Sequence, residues 1–178
     1  MNAERALQVL TAPDMFVMRR VNRWPAPRWV RRWVVLATRG GDGWFWAACG
    51  IAILSSSDAS RYSAFGAAAL AVAAAILVFK ALKRAVRRKR PCQIEPHCWA
   101  LLLPPDQFSF PSGHTMTAFA VAVSLGLFYP ALLAALLACA ACVAASRVLL
   151  GMHFLSDVIA GSFLGTLLGY GSFLLLRA

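Results

Sequence analysis

The fold is decided by residues 113–150, GHTMTAFAVAVSLGLFYPALLAALLACAACVAASRVLL. They contain two apolar runs, residues 113–129 and 131–146, which meet at Pro130. Each run is close to the roughly 20 residues that an α-helix needs to cross hydrocarbon, and a proline cannot continue the helix before it. The stretch therefore predicts two membrane-spanning helices joined by a tight turn.

Three further apolar segments occupy residues 44–57, 64–82 and 154–176. The content of 60% hydrophobic residues and the mean hydropathy of +0.65 exceed those of soluble domains of this size. We expect an all-α, polytopic membrane helix bundle of about five transmembrane helices in the cell (inner) membrane. Residues 44–57 are short for a span. Three glycines in the last segment permit close helix packing: Gly161, Gly165 and Gly169.

Residues 1–42 are basic and aromatic, and we assign them to a separate interfacial segment that precedes a transmembrane domain at residues 43–178. Trp29, Trp33 and Leu36 recur at i, i+4 and i+7, which is typical of an amphipathic helix in the headgroup layer. Residues 13–21 have a similar pattern. The segment lacks the apolar core and cleavage site of a signal peptide.

The first polar cluster follows the second predicted span. Lys83, Arg87 and Arg90 recur at i, i+4 and i+7, and Pro91 is expected to end the helix just after them. Such a row of cations suits a multiply charged anion. The alternative is a juxtamembrane basic stretch that sets topology or binds anionic lipid. That second role is our interpretation of the neighbouring cations Arg84, Arg88 and Lys89.

The second cluster is Pro111-Ser112-Gly113-His114, directly before an apolar run. Ser112 is positioned to cap a helix, and Gly113 would let a phosphate oxygen approach the first free N–H groups. His114 lies one residue further into the helix. Alternatively, the tetrapeptide is an ordinary helix start with an incidental histidine.

The third cluster contains Arg147, His153 and Asp157. If His153 and Asp157 lie in one helix, their i, i+4 spacing places both on one face, where the carboxylate would hold one imidazole nitrogen and leave the other free to attack. Arg147 adds a planar cation for phosphate oxygens. A purely structural pair is the alternative. With five spans, all three clusters fall on the same side of the membrane.

Together the clusters resemble the type 2 phosphatidic acid phosphatase superfamily. Its pattern has Lys, six residues, Arg-Pro; then Pro-Ser-Gly-His; then Ser-Arg, five residues, His, three residues, Asp. The chain matches it at every position, with Ser146 completing the third motif. The resemblance covers roughly residues 40–178.

The resemblance implies that His153 is the nucleophile, that Asp157 orients it, and that His114 protonates the leaving oxygen and later activates water. It implies no metal and no cofactor, and the sequence has no carboxylate cluster near these residues that would hold magnesium. The implied phosphate-binding residues are Lys83, Arg90, Ser112, Gly113 and Arg147.

We therefore expect a membrane phosphatase that acts on phosphatidate, phosphatidylglycerophosphate or a polyprenyl phosphate or diphosphate. The alternatives are a non-catalytic lipid-phosphate-binding or transport protein and a vanadate-dependent haloperoxidase-like oxidoreductase. The expected partners are the lipid substrate and the bilayer, with no nucleic acid. The sequence does not decide the oligomeric state.

Two features leave alternatives open. Cys92 and Cys98 can form a disulfide-closed loop, a metal clip or two unpaired thiols, and the loop at residues 92–110 either covers the pocket or lies at the interface without a role in substrate binding. Family members commonly have an outward-facing pocket, whereas the formal charge of +11, concentrated before residue 40 and at residues 80–90, favours an inward-facing one.

Overall fold

The computed structural model of this chain describes residues 3–95 and 106–177, with side chains from residue 12 onward. Within these ranges the chain is helical and contains no strand. The helices are α1 (Ala3–Asn22), α2 (Arg28–Gly40), α3 (Trp44–Leu54), α4 (Arg61–Val86), α5 (Pro91–Ile94), α6 (Gly113–Phe128), α7 (Pro130–Leu149) and α8 (Leu155–Leu176). The predicted all-α architecture is confirmed, and each predicted span corresponds to one helix.

Three of the described helices, α4, α7 and α8, are long and apolar enough to cross a membrane. The 11 residues of α3 and the 16 residues of α6 reach only about 17 Å and about 24 Å at 1.5 Å per residue, against a hydrocarbon core of about 30 Å. The molecule is a polytopic membrane helix bundle. The count of five spans stays a prediction.

Helix α6 is the centre of the bundle and packs against α4, α7 and α8. Its contact with α8 depends on the predicted glycines. A Cβ at Gly165 would lie 2.3 Å from the carbonyl oxygen of Met116, and one at Gly161 would lie 2.8 Å from that of Ser112. Small residues let the two backbones approach this closely. The contact brings the N-terminal ends of α6 and α8 together, which positions the polar residues described below.

The two N-terminal helices pack on α7 and α8. Helix α2 buries Val30 and Val34 against Leu150, while Trp29 and Leu36 are 70% exposed on the outside. The predicted amphipathic helices are therefore present, although α1 begins well before the predicted residue 13. Their location in the headgroup layer stays a prediction.

The end of α4 differs from the sequence-based expectation. The helix ends at Val86, and Arg87 adopts a left-handed conformation with φ of 52°. The carbonyl groups of Arg88 and Lys89 instead accept hydrogen bonds from the N–H and the hydroxyl of Ser109, at 2.8 and 3.1 Å. This long-range contact replaces helical hydrogen bonds. The predicted helix through residue 90 and its single face of three cations are therefore wrong.

Candidate active site

A cavity of about 820 Å³ lies between α3, α4 and α6. Its sides are apolar, from Phe65 and Ala68 on α4 to Val121 on α6, and its polar end is formed by residues from all three sequence clusters. The residues at the polar end are Asp42, Lys83, Arg90, Asp106, His114 and His153. Both predicted catalytic histidines thus line the same cavity.

Arg147 is buried near this polar end. Its side chain extends from the last turn of α7, it is 2% exposed, and its Nη1 donates to the hydroxyl of Thr38 on α2. Among the described residues, its Nε and Nη2 have no hydrogen-bond partner. Buried donors without acceptors are costly, and a guanidinium pairs best with an anion that presents two oxygens. Arg147 is therefore suited to hold a phosphate.

Lys83 and Arg90 share one carboxylate that the sequence analysis did not identify. Lys83 Nζ lies 2.6 Å from Asp106 Oδ2, and Arg90 Nη2 lies 2.7 Å from Asp106 Oδ1. Burial by itself raises the pKa of Asp106, but hydrogen bonds from the two cations outweigh it and lower the pKa below its usual value. The carboxylate stays charged and pairs with both cations at the rim of the cavity.

The hydrogen bonds of His153 define its tautomer. Nδ1 lies 2.7 Å from the carbonyl oxygen of Ser109, which can only accept, so Nδ1 carries the proton. Nε2 then presents its lone pair, which accepts from Arg90 Nη1 at 3.1 Å. Burial, followed by the charges of Arg147 and Arg90, lowers the pKa of His153 well below its usual value. The imidazole is neutral, with Nε2 facing the cations.

Asp157 does not hold His153 in the way that the spacing suggested. His153 precedes α8, so the two residues are not on one helical face, and Nδ1 lies 3.6 Å from Asp157 Oδ2, beyond hydrogen-bond distance. That oxygen accepts from the N–H of Phe154 at 2.8 Å, and Oδ1 accepts from Arg88 at 2.7 Å. Asp157 therefore anchors the backbone next to His153 rather than its ring.

Ser112 and His114 begin α6 as predicted, but with different partners. Ser112 is the N-cap residue, yet its hydroxyl pairs with that of Thr115 at 2.9 Å and its N–H donates to the carbonyl oxygen of Asp157 at 3.1 Å. Gly113 follows at the first helical position, where N–H groups lack intrahelical acceptors. His114 Nε2 lies 2.9 Å from Asp42 Oδ1, in the turn between α2 and α3.

Arg88 is the clearest correction among the cations. Its position in the basic stretch suggested a role in setting topology or binding anionic lipid, but it is 9% exposed and its guanidinium lies 4.2 Å from the ring of Phe154. It bonds to Asp14 and Asp157, both at 2.7 Å. The left-handed turn at Arg87 causes this difference, because it directs Arg88 inward and leaves its own side chain exposed.

A compositional signal was available for the three carboxylates that were missed, Asp14, Asp42 and Asp106. The chain has only seven Asp and Glu residues against 18 Lys and Arg, so each acid near a basic cluster is a candidate partner. Four of the seven contact predicted site residues or Arg88: Asp14, Asp42, Asp106 and Asp157.

Cys98 and most of the predicted covering loop, at residues 96–105, lie outside the described residues. The three alternatives for Cys92 and Cys98 therefore stay open.

This architecture defines a class of integral membrane proteins in which a helix bundle encloses a cationic, histidine-containing site at the end of an apolar cavity. Residues 64–178 match the sequence model of the PAP2 superfamily, and the chain belongs to that family. The match includes all three clusters and begins in the first turn of α4, after α1, α2 and α3.

Among curated proteins, the chain is 37% identical to a lipid A 1-phosphatase of Rhizobium etli over 93 residues, which is 50% of this chain and 40% of that protein. It is 36% identical to the decaprenylphosphoryl-5-phosphoribose phosphatase of Mycolicibacterium smegmatis over 124 residues, 67% of this chain and 62% of that one. The chain thus spans less than two thirds of the length of each of these relatives.

Two solved structures share the fold. The PAP2-type phosphatidylglycerolphosphate phosphatase of Bacillus subtilis has a TM-score of 0.73 at 25% identity, covering 95% of this chain and 85% of that one. LpxE of Aquifex aeolicus has a TM-score of 0.75 at 24% identity, covering 90% and 94%. The membrane helix bundle is therefore a fold in which phosphatases are known.

Proposed function

We propose that this protein is a membrane phosphatase that hydrolyses a phosphomonoester or diphosphate of a lipid through a phosphohistidine on His153. The observation that carries the proposal is the buried Arg147, whose Nε and Nη2 lack partners within the described chain. Its charge acts on His153, a neutral histidine at the polar end of the cavity whose Nε2 lone pair faces Arg90. An anion cradle beside a nucleophile is what phosphoryl transfer requires.

Phosphate binding is the first step. The free donors of Arg147 would take two non-bridging oxygens, and Lys83 and Arg90 would contribute further N–H groups. The N–H groups at Gly113, at the positive end of α6, add a favourable dipole. Arg90 Nη1 contacts His153 Nε2 at 3.1 Å, so a phosphate that draws this donor to itself also releases the lone pair for attack.

The chemistry then follows from the two histidines. His153 Nε2 forms a bond to phosphorus as the bond from phosphorus to the lipid oxygen breaks, and His114 gives its proton to that leaving oxygen. In the second step His114 takes a proton from water, whose oxygen attacks the phosphohistidine. Inorganic phosphate leaves and His153 is regenerated. Asp42, 2.9 Å from His114, would stabilise the ring as it becomes charged.

The cavity offers a path for the lipid chain. Phe65 and Lys83 both line it, and at 1.5 Å per residue they are separated by about 27 Å along α4. A chain in this cavity would stay at the depth of the bilayer while its phosphate reaches the cations. We therefore expect lipid phosphates to be hydrolysed in preference to soluble phosphate esters. Equal turnover of both would contradict lateral access.

The substrate class rests on the relatives. The relatives include a lipid A 1-phosphatase, a decaprenylphosphoryl-5-phosphoribose phosphatase and a phosphatidylglycerolphosphate phosphatase. In each name the phosphate is part of a lipid. We propose the inner membrane as the location. The substrate panel should contain phosphatidate, phosphatidylglycerophosphate, polyprenyl phosphate and diphosphate, lipid A and decaprenylphosphoryl-5-phosphoribose.

The test measures phosphate released from this panel by purified protein in detergent, with and without EDTA. Turnover that persists in EDTA and is lost in His153→Ala and His114→Ala supports a metal-independent phosphatase. The matched control is Arg84→Gln, an exposed cation of the same basic stretch, which should keep wild-type turnover. Acid-stable protein phosphorylation, or turnover retained in His153→Ala, would contradict the phosphohistidine.

The same preparation discriminates the alternatives. Binding of orthovanadate without turnover of any lipid would favour a non-catalytic lipid-phosphate-binding protein. Vanadate-dependent oxidation of bromide by peroxide would favour the oxidoreductase.

A further inference from the structure

A buried ionic cluster next to the active site joins α1 to the N-terminal end of α8. Arg88 Nη2 donates to Asp14 Oδ2, and its Nη1 donates to Asp157 Oδ1 and to the hydroxyl of Ser156, each at 2.7 Å. Asp14, on α1, is 5% exposed. Arg88 does not line the cavity, so among the described residues it contacts other protein groups rather than the site where substrate would lie.

Asp14 completes the start of α8. Its Oδ1 accepts from the N–H of Ser156 at 3.0 Å, and its Oδ2 accepts from the Ser156 hydroxyl. Ser156 is in the first turn of α8, whose N–H groups have no intrahelical acceptor. An acid from a helix more than 140 residues away in sequence thus supplies a capping interaction that is normally local.

The charges of the cluster depend on one another. Two buried carboxylates share a single guanidinium, and both also accept backbone N–H groups at the positive end of α8. Without Arg88, the carboxylates of Asp14 and Asp157 would face each other without a cation, which is unfavourable in a buried site. Without Asp14, Arg88 would keep Asp157 alone and Ser156 would lose its acceptor.

The cluster is connected to both predicted catalytic histidines through the backbone. Asp157 accepts from the N–H of Phe154, the residue after His153. The carbonyl oxygen of Asp157 accepts from the N–H of Ser112, two residues before His114. A shift of the α8 N-terminus would therefore move both rings relative to a bound phosphate.

We propose that Asp14 and Arg88 are positioning residues, through which α1 holds the backbone of the active site in the geometry needed for phosphoryl transfer. The inference deepens the proposed function and rests on it. It concerns a helix outside the segment that matches the family. A displacement of about 1 Å at reacting groups costs on the order of 100-fold in rate, so the effect should appear in kcat.

The test compares Asp14→Asn, which can still accept from Ser156 but has no charge, with Asp14→Ala, which loses both features. Asp58→Asn, an exposed acid between α3 and α4, is the matched control. On the best lipid substrate we expect kcat to fall about 10-fold in Asp14→Asn and about 100-fold in Asp14→Ala. KM and orthovanadate affinity should stay within about twofold, because the phosphate-binding cations are unchanged. Wild-type kcat in Asp14→Ala would overturn the proposal while leaving the phosphatase intact.

A second measurement is independent of turnover. Hydrogen exchange of the backbone amides should accelerate at residues 154–157 and 112 in Asp14→Ala, but not in Asp58→Asn. If no lipid is hydrolysed by the wild type, the proposed function fails, and faster exchange at these amides still supports the positioning contact. Unchanged exchange would overturn it. Arg88→Gln should reproduce the loss of kcat, whereas its exposed neighbour in Arg84→Gln should not.

Discussion

Replacing Arg147 with methionine should make the ligand-free protein more stable and nearly abolish phosphate binding. The arginine is 2% exposed and keeps a positive charge and two unpaired donors in the interior of the described chain. Methionine has a similar length and no polar hydrogen. The substitution removes a group that is costly without an anion and indispensable with one.

The structure gives the magnitude of both effects. Each buried donor without an acceptor costs about 1–3 kcal/mol, so two cost about 2–6 kcal/mol, while the lost bond to Thr38 contributes about 1 kcal/mol in the opposite direction. Arg147→Met should thus be more stable by about 1–5 kcal/mol, close to the gain of about 1–4 kcal/mol seen when buried ionic groups are replaced by apolar ones. At roughly 2–4 °C per kcal/mol for a domain of this size, Tm should rise by several degrees.

The loss of binding follows from the same donors. Two hydrogen bonds from a charged group are worth about 1.5–3 kcal/mol each, so their loss should weaken phosphate binding by about 150- to 25,000-fold. The assay is thermal melting in detergent, with and without orthovanadate. The wild type should have the lower Tm without ligand, and its Tm should rise when orthovanadate is added. The Tm of Arg147→Met should be higher without ligand and should not change with orthovanadate. Arg147→Lys, which keeps the charge without the planar fork, should be intermediate.

The exposed control is Arg84→Met, which should melt like wild type at either ligand concentration. A lower Tm for ligand-free Arg147→Met would refute the reasoning, because it would mean that the arginine stabilises the empty site. An unchanged response to vanadate would refute it equally, because another residue would then carry the anion.

Burial and nearby cations lower the pKa of His153, so its Nε2 stays unprotonated as the pH falls through 6.5. After correction for titration of the substrate, kcat/KM should therefore decline only at lower pH. A decline of kcat/KM that begins at pH 6.5 or above would argue against this nucleophile. Asp106→Asn should lower the inhibition constant of inorganic phosphate about fivefold, because the Asp106 carboxylate competes with phosphate for Lys83 and Arg90. Weaker inhibition in the variant would instead indicate that Asp106 aligns the two cations for phosphate. Gly165→Ala should lower the free energy of unfolding by about 1–3 kcal/mol, and with it Tm, because the added Cβ would overlap a backbone oxygen of α6. The control Gly171→Ala, whose Cβ has no neighbour within 4 Å, should melt like wild type. Equal Tm values for the two variants would show that α6 and α8 separate without cost.

Helix positions were predictable because their signals are local. The apolar runs and Pro130 correctly indicated α4, α6, α7 and α8, and the spacing of Trp29 and Leu36 indicated α2. The positions of the cations were harder to predict, because assigning residues to one face of a helix assumes that the helix continues through all of them. The left-handed conformation at Arg87 ended α4 early, turned Arg88 into the interior and removed the expected row.

The same assumption misled the interpretation of His153 and Asp157. Their spacing would place them on one face only if α8 included both, but α8 begins at Leu155. The partner of the imidazole is instead a backbone carbonyl, at Ser109, and no side-chain pattern identifies a carbonyl acceptor. The contact depends on the position of residues 106–112, which precede α6.

The amino-acid sequence by itself indicated that this chain forms membrane helices, that it belongs to the PAP2 superfamily, and that Lys83, Arg90, His114 and His153 gather at one site. These properties follow from the lengths of the apolar runs, the positions of prolines and the spacing within motifs, all of which are local features of the sequence. Only the tertiary structure decided which cation is buried, which group orients His153, and that α1 reaches the active site. Those contacts join residues 44 and 74 positions apart, and they form because buried charges and N–H groups must find partners wherever the packed helices bring them together.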